Sequence, residues 1–357
     1  MKDLRIVFMG TPDFAVTILK HLVEHSYKVV GVITASDKPA GRGRKLNESA
    51  VKKYAQSVNL PLLQPTNLKD KDFNIELKKL KADLQIVVAF RMLPEIVWQM
   101  PHYGTFNLHA SLLPAYRGAA PIHWAIINEE TKTGVTTFFI DDKIDTGEII
   151  LQQEVEIKKD ETVGTLHDKL MFLGADVVAK TVDLISSEKA TTRKQPNLEE
   201  KAALKLNPEN CRIDWTASLN KIDHKIRGLN PFPGAWTVIK NGEEEITSKI
   251  YAIRKETAEH HFTMGQIIAT KKELKVASLK GVSEFDEESH KNAELIYKRD
   301  TSQSFNNNTS FKIRPFFASR ERFFRWSLLL ENDSEYLIRD NLFFTSNLKF
   351  SVYDNFD

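Results

Sequence analysis

The first 34 residues contain a buried strand, a helix and a second strand in quick succession. Residues 4–10 form a short apolar run rich in β-branched and aromatic side chains, which is typical of a buried strand. Thr11 and Pro12 then supply an N-cap and a proline at the first helical position, and the next apolar residues recur at helical spacing. A further strand follows at 29–34. A βαβ unit of this length predicts a parallel sheet.

The same alternation of strands and helices continues along the chain. We predict further strands at 84–90, 104–109, 135–140 and 149–157. Helices are predicted at 119–128 and 162–185. The pattern predicts an α/β domain over residues 1–190, built on an open, mostly parallel, Rossmann-like sheet.

A change of composition separates this region from the next. Residues 186–209 are polar, which predicts a linker at 191–208. An amphipathic helix is then expected at 219–227, and short strand-like runs with turn signals between them follow Pro231. Such runs favour a small β-barrel or a β-sandwich, which we assign to residues 209–281.

Residues 282–357 differ from the rest of the chain. All 15 glycines lie at or before Gly281, whereas this ending contains 11 of the 21 phenylalanines. A β-rich segment without glycine lacks the usual turn residues, and we assign it no fold. The abrupt change suggests the hypothesis that the ending is translated in a shifted reading frame or replaces another segment.

Charge and cysteine content narrow the class of protein. The net charge of +2 gives no whole-chain reason to expect a nucleic-acid or membrane partner. A single cysteine, Cys211, excludes a disulfide framework and a four-thiolate zinc site. The apolar runs are shorter than a membrane span, and the start of the chain reads as a strand rather than a signal peptide. We therefore expect a cytoplasmic protein, a monomer without a membrane partner.

Three polar residues form the candidate catalytic site. Asn107 and His109 are two positions apart on one predicted strand, so their side chains share a face near its C-terminal end, where open parallel sheets bind ligands. Asp145 lies in a predicted turn. An amide donor, an imidazole and a carboxylate, with no serine or cysteine nucleophile, suit direct acyl transfer through a tetrahedral intermediate. Alone, such residues are more often structural.

The surrounding motif makes the assignment more specific. Residues 111–118, Ser-Leu-Leu-Pro-Ala-Tyr-Arg-Gly, resemble the signature of the formyltransferases that use 10-formyltetrahydrofolate. Further segments at 9–15, 37–45, 118–125, 213–215 and 226–236 resemble the branch of this family that formylates methionyl initiator tRNA. The resemblance covers about residues 4–281 and then stops.

The resemblance implies a catalytic role for Asn107, His109 and Asp145, a 10-formyltetrahydrofolate co-substrate, and a small OB-like tRNA-binding barrel, here incomplete, at 209–281. It also implies a folate-lining set: Phe90, Arg91, Met92, Leu93, Ser111, Leu112, Leu113, Pro114, Ile140 and Asp141. We expect no metal, because His21 and His25 have helical zinc-like spacing but no third ligand.

A basic loop points towards RNA. Residues 36–53 hold six cations against Asp37 and Glu48, and Gly41 and Gly43 surround Arg42. Such a loop can contact a phosphate backbone, and a solvated surface loop is the alternative. The resemblance implies that this loop enters the tRNA acceptor stem, and the predicted contacts are Lys38, Arg42, Arg44 and Lys45.

Two other functions stay open at this point. A formyltransferase acting on a small amine, such as an aminosugar nucleotide, shares the core signature but has no need of the basic loop. An RNA- or folate-binding protein without activity is the non-enzymatic alternative.

Overall fold

A computed structural model describes residues 3–40, 45–197, 201–257, 259–269, 274–279 and 281–284, and the backbone of four later strands. The chain forms two compact units, the first comprising residues 1–125 and 130–205 and the second residues 126–129 and 206–357. Part of the predicted linker, up to Lys205, thus belongs to the first unit.

The first unit alternates strands and helices in the predicted manner. Its elements are β1 (Ile6–Gly10), α1 (Asp13–Glu24), β2 (Val29–Ile33), β3 (Lys38–Ala40), β4 (Lys45–Asn47), α2 (Ala50–Ser57), β5 (Leu62–Leu63), α3 (Lys71–Lys79), β6 (Leu84–Val88), α4 (Glu95–Trp98), β7 (Thr105–His109), α5 (Pro121–Ile127), β8 (Lys132–Phe139), β9 (Ile149–Glu156) and α6 (Val163–Ser186).

Seven of these strands form one sheet in the order β5-β2-β1-β6-β7-β8-β9. The strands from β5 to β7 run parallel, whereas β8 and β9 are antiparallel to their neighbours. β1 and β6 are buried along their whole length, as expected for central strands covered on both faces. The predicted open, mostly parallel α/β sheet is confirmed.

Local sequence signals define the helix ends. The side chains of Ser49, Asp70 and Thr162 cap α2, α3 and α6 by accepting a hydrogen bond from a backbone N–H in the first turn. Helix α6 covers almost the predicted range, and its apolar face packs on α1, β8 and β9. Each fully buried Leu or Ile side chain there contributes about 1.5–3 kcal/mol to stability.

The second unit has its own core. Its elements are α7 (Pro208–Cys211), α8 (Leu219–Leu229), β10 (Ala235–Asn241), β11 (Glu244–Ile250), β12 (Arg254–Glu256), β13 (Ile267–Ala269), β14 (Leu274–Ser278), β15 (Gly281–Glu284), β16 (Phe311–Phe317), β17 (Phe324–Leu330), β18 (Ser334–Arg339) and β19 (Phe350–Val352). Apolar residues of α8, among them Ile222 and Ile226, pack with Ala235, Ile250 and Val276.

The strands of this unit pair as a β10-β11 hairpin and two four-stranded sheets, β12-β15-β14-β13 and β18-β17-β16-β19. The second of these sheets lies within the segment to which the sequence assigns no fold. Closure of β10–β15 into a barrel stays a prediction. Among the helices of the described residues, none is long and apolar enough to cross a bilayer.

Candidate active site

Strand β7 and the loop after β8 bring the three predicted catalytic residues into one region. Asn107 and His109 alternate with Leu108, so they lie on the same face of β7. The His109 Nδ1 atom is 3.7 Å from Oδ2 of Asp145, and their side chains are 7% and 16% exposed. This distance exceeds a hydrogen bond, but catalytic contacts often tighten only when substrate binds.

The second ring nitrogen of His109 fixes the proton arrangement. Nε2 lies 2.8 Å from the Tyr116 carbonyl oxygen, which can only accept a hydrogen bond. Nε2 therefore carries a proton, and Nδ1 is the ring nitrogen that faces Asp145. The buried position of His109 keeps bulk water from competing for these contacts.

The loop from β8 to β9 folds back to place Asp145. The end of β8 is beside the beginning of β7, since Phe139 pairs with Phe106, whereas Asp145 contacts His109 at the other end of β7. Gly147 permits this path, because a Cβ there would lie 1.7 Å from the Phe139 carbonyl oxygen. The loop is therefore pressed against the strand that it follows.

A backbone amide also orients the Asp145 carboxylate. Its Oδ2 atom accepts a hydrogen bond from the Gly118 N–H at 2.9 Å. Gly118 itself has φ +117°, and a Cβ there would lie 2.7 Å from the Ala203 carbonyl oxygen. Glycine is thus required at the position that donates to Asp145.

The Asn107 side chain has no hydrogen-bond partner among the described residues of the chain. Its residue is half-buried and lies in the middle of β7, between Val87 of β6 and Phe138 of β8. Its amide N–H groups are therefore available to an oxygen atom of a bound molecule.

The signature segment is held by strand β8. The Thr136 hydroxyl donates to the Ser111 carbonyl at 2.7 Å and accepts from the Leu113 N–H at 3.2 Å. Gln152 donates to the Leu113 carbonyl at 2.8 Å, and the Leu113–Pro114 peptide bond is cis. Of the predicted folate residues in this segment, Ser111 and Leu113 are buried, while Leu112 and Pro114 are half-buried.

The other predicted folate residues lie in two loops that meet at one apolar cluster. Leu93 is part of this cluster, together with Val7 and Met9 of β1, and Phe90 and Ile140 pack against it. The structure therefore brings together the segments after β6 and β8 that the sequence assigns to one ligand.

The same two loops present exposed apolar and cationic groups. Met92 and Ile144 are 65% and 62% exposed. The Arg91 guanidinium lies 5.5 Å from the centre of the Phe90 ring and donates to the Thr66 carbonyl at 2.8 Å. The Asp141 carboxylate accepts hydrogen bonds from the Thr146 hydroxyl within the same loop. These hydrogen bonds stabilise the conformation of the loop.

The basic loop forms part of a β-hairpin. Strands β3 and β4 pair antiparallel, with Lys38 opposite Asn47 and Ala40 opposite Lys45. Lys38 is exposed, and Lys45 is the first residue of β4. The predicted contacts Arg42 and Arg44 lie outside the described residues.

The two acidic residues of this region are engaged by one buried cation. Lys52 forms ion pairs with Asp37 and with Glu48, the latter at 2.7 Å. The hydrogen bond from Lys52 holds the pKa of Asp37 below its usual value, and Gln64 adds a second hydrogen bond at 2.9 Å. Both carboxylates therefore form ion pairs with Lys52, and neither of them neutralises the charge of Lys38.

Two residues that the sequence analysis missed support the site. Gln195, within the predicted linker, and Arg117, within the signature, both bond to the Asp145 carbonyl oxygen. The polar composition around Gln195 predicts only a linker, and nothing in it indicates the residue's partners. Arg117 lies within the signature segment at 111–118, but the sequence alone assigns it no role.

Two family models match the chain. The model described as Formyl transferase matches residues 4–182, and the one described as Formyl transferase, C-terminal domain, matches residues 205–297. The second match extends beyond Gly281, the point at which the sequence resemblance was expected to stop.

Curated relatives match most of the chain. The methionyl-tRNA formyltransferase of Flavobacterium johnsoniae is 58% identical over 282 residues, which are 79% of this chain and 90% of the relative. The protein of the same name from Bacteroides thetaiotaomicron is 53% identical over 282 residues, covering 77% of this chain and 88% of the relative.

Solved structures share the fold. An N-formyltransferase from Helicobacter canadensis, in complex with folinic acid and dTDP-3-aminofucose, has a TM-score of 0.58 at 20% identity and covers 78% of this chain and 97% of its own. A sugar 3N-formyl transferase, WlaRD, has a TM-score of 0.57 at 20% identity and covers 80% and 100%. At this identity the likeness concerns the fold alone.

Proposed function

The chain belongs to the formyl transferase family, and we infer that it transfers the formyl group of 10-formyltetrahydrofolate to the α-amino group of methionyl initiator tRNA. The observation that carries this conclusion is the 58% identity to a methionyl-tRNA formyltransferase over 79% of the chain. The resemblance recognised from the sequence motifs is thereby confirmed.

Asn107 is proposed to stabilise the oxyanion of the tetrahedral intermediate. The neutral amine of the acceptor attacks the formyl carbon, and negative charge develops on the formyl oxygen. When this intermediate collapses, the bond from the formyl carbon to N10 breaks, and tetrahydrofolate leaves with a proton on N10. The half-buried Asn107 amide, which has no partner among the described residues, supplies a fixed neutral donor for that oxygen. Donors of this kind typically contribute a factor of about 10²–10³ to the rate.

His109 and Asp145 are proposed to act as a pair. Protonated His109 adds positive charge beside the oxyanion, and Asp145, 3.7 Å from Nδ1, orients the ring. Asp145 can also pass the proton leaving the amine to water, because its carboxylate is partly exposed. The chemistry needs no covalent intermediate on the protein.

The folate co-substrate is proposed to bind between the signature segment and the two loops after β6 and β8. The fit rests on Phe90 and Ile140, which pack on one apolar cluster, and on the exposed side chains of Met92 and Ile144. Exposed apolar side chains of this size suit a flat heteroaromatic ring.

The tRNA is proposed to contact the hairpin of β3 and β4. Lys38 is exposed there, and the nearby carboxylates are engaged by Lys52. Arg42, Arg44 and Lys45 complete the proposed contact, and the second unit is proposed to hold the rest of the tRNA. We propose that the protein acts in the cytoplasm as a monomer.

An aminosugar nucleotide is not favoured as the acceptor. The structures of sugar formyltransferases resemble this chain at only 20% identity, whereas the relatives above 50% are named for methionyl-tRNA. The basic hairpin also has no use in binding a small amine.

A formylation assay tests the proposal. The full chain is incubated with 10-formyltetrahydrofolate and, in separate reactions, methionyl initiator tRNA, methionyl elongator tRNA and an aminosugar nucleotide. We expect formyl-methionyl initiator tRNA to be formed at least 100-fold more efficiently, in kcat/KM, than the other products. A preference for the sugar nucleotide, or no transfer to any acceptor, would contradict the proposal.

A further inference from the structure

The side-chain amide of Gln195 is at the centre of four hydrogen bonds. Its Oε1 atom accepts from Nε and Nη2 of Arg117 at 3.2 and 2.7 Å. Its Nε2 atom donates to the carbonyl oxygens of Asp145 and Gly147, both at 2.8 Å. Both polar atoms of the amide are therefore used to join the signature segment to the Asp145 loop.

The backbone at Asp145 needs this support. Its φ of +56° lies in the left-handed region, which is unfavourable for a non-glycine residue and persists where the surroundings enforce it. The Asp145 carbonyl oxygen accepts from Gln195 Nε2 and, at 3.0 Å, from Arg117 Nε. Two donors on one carbonyl fix the plane of the peptide group that follows Asp145.

The direction of that peptide group determines where the carboxylate lies. The Asp145 Oδ2 atom reaches both the Gly118 N–H and the His109 ring from this backbone position. A rotation at Asp145 would move the carboxylate away from His109. Because a misplacement of about 1 Å can cost a factor of about 100 in rate, the position of this loop matters for catalysis.

Glutamine has the chemistry that this position requires. The group facing Arg117 must accept hydrogen bonds, and the group facing two carbonyl oxygens must donate. An amide does both, whereas a carboxylate would oppose the carbonyl oxygens of Asp145 and Gly147 without a proton to donate. Asparagine carries the same amide, but its side chain is one methylene shorter and would not place the amide at the same distance from these partners.

The main chain around Gln195 is fixed at two points. Arg193 exchanges two backbone hydrogen bonds with Ile149 of β9, at 2.8 and 2.9 Å. Farther along, Ala203 donates to the Arg117 carbonyl at 2.8 Å and accepts from Ala119 at 2.8 Å. The segment therefore presents Gln195 from a held position and not from a free linker.

We propose that Gln195 is a positioning residue for formyl transfer, which acts by holding the Asp145 loop so that the carboxylate faces His109. The proposal rests on the proposed function for its kinetic consequence, while its geometric consequence can be measured without turnover. Gln195 itself is not proposed to contact either substrate.

The kinetic test compares Gln195→Ala and Gln195→Glu with Lys194→Ala, a control at the exposed neighbouring residue. We expect kcat to fall 10- to 100-fold in both Gln195 variants, with the KM values for folate and for methionyl-tRNA within threefold of the parent. The control should match the parent. Parent-like kcat in Gln195→Ala would overturn the proposal.

A second variant separates positioning from general stability. Asn tolerates the left-handed region, so Asp145→Asn keeps the loop while removing the carboxylate. In the Asp145→Asn background we expect Gln195→Ala to change single-turnover rates by less than threefold, because its effect acts through Asp145. A full 10- to 100-fold further loss would show that Gln195 acts by another route and would overturn the proposal.

Hydrogen exchange measured by mass spectrometry completes the test without any substrate. Peptides covering residues 116–119 and 145–148 should exchange faster in Gln195→Ala than in the parent, while peptides from β1 and β6 stay unchanged. Unchanged exchange in both loops would overturn the proposal. A parent chain that forms no formyl-methionyl-tRNA would count against the proposed function instead, and the exchange result would still decide the role of Gln195.

Discussion

At the scale of single residues, Asn107 has the simplest predicted effect. Its side-chain amide forms no hydrogen bond with the described residues, so removal of the amide should change the free energy of unfolding little. We expect Asn107→Ala to lower kcat about 100- to 1,000-fold, as for a lost oxyanion donor. The measurement is steady-state formylation together with the melting temperature. Asn197→Ala, an exposed asparagine, is the matched control. A variant with near-parental kcat would contradict the proposed role.

Sequence patterns predict the positions of some residues of the candidate site but not of others. Asn107 and His109 were predictable because strand alternation places both on one face of β7. Gln195 was not, because its partners lie 50 and 78 positions away, and its neighbours have the composition of a linker. The Tyr116 carbonyl that fixes the His109 proton belongs to the backbone and leaves no signal in residue types.

At the scale of elements, the proposed contact of tRNA with the hairpin of β3 and β4 predicts that tRNA binding depends on salt concentration. Each lost phosphate contact should reduce the slope of log(kcat/KM) against log[salt] by about 0.7–1. We expect Lys38→Ala and Arg42→Ala each to raise the KM for methionyl-tRNA about three- to tenfold, with the KM for folate unchanged. Lys69→Ala, an exposed cation before α3, is the control. An unchanged salt slope in both variants would show that the hairpin does not contact the tRNA.

The contact between the α1–β2 turn and α6 predicts a pH dependence of stability. The Tyr27 hydroxyl donates to Asp183 at 3.0 Å, and burial, together with this carboxylate, raises the pKa of Tyr27 to about 12. Since the folded pKa exceeds the usual value of about 10, this contribution is complete below pH 10 and is lost as the pH rises through 12.

We therefore expect Tyr27→Phe to lower the free energy of unfolding by about 1 kcal/mol at pH 7, the usual cost of one such hydrogen bond. Urea unfolding should show the difference from the parent narrowing above pH 10. Asp183→Asn keeps an acceptor but removes the charge, so it should be destabilised less at pH 7. Equal stability of the parent and Tyr27→Phe at pH 7 would contradict the role of this contact.

Elements were predicted most accurately where one periodicity covers the whole element. Helix α6 agrees with its prediction to within one residue at each end, because its apolar spacing and the Thr162 cap point the same way. Helix α5 is shorter than predicted, at Pro121–Ile127, since proline at its first position sets its start. Antiparallel pairing of β8 and β9 follows from long-range contacts that periodicity does not encode.

At the scale of the whole molecule, the near-neutral charge conceals two different regions. Residues 1–281 hold 40 Lys and Arg against 35 Asp and Glu, a net of +5, whereas residues 282–357 hold 10 against 13, a net of −3. The two family models match residues 4–182 and 205–297, so most of the cationic part lies within the matched residues. The acidic, glycine-free ending is thus distinct in composition, and the C-terminal family match ends within it, at residue 297.

The coding DNA tests the origin of this ending. If a shifted reading frame produced it, one of the other two frames downstream of the codon for Lys280 should encode a glycine-containing sequence that continues the C-terminal family match. The sequences of the relatives, which are aligned over 90% of the F. johnsoniae protein, serve as the reference for such a continuation. Translation of both frames is the measurement, and resequencing of the locus is the control for a reading error. If neither frame encodes such a continuation, the frameshift hypothesis is wrong, and a genuine extension is favoured for the segment that contains β16–β19.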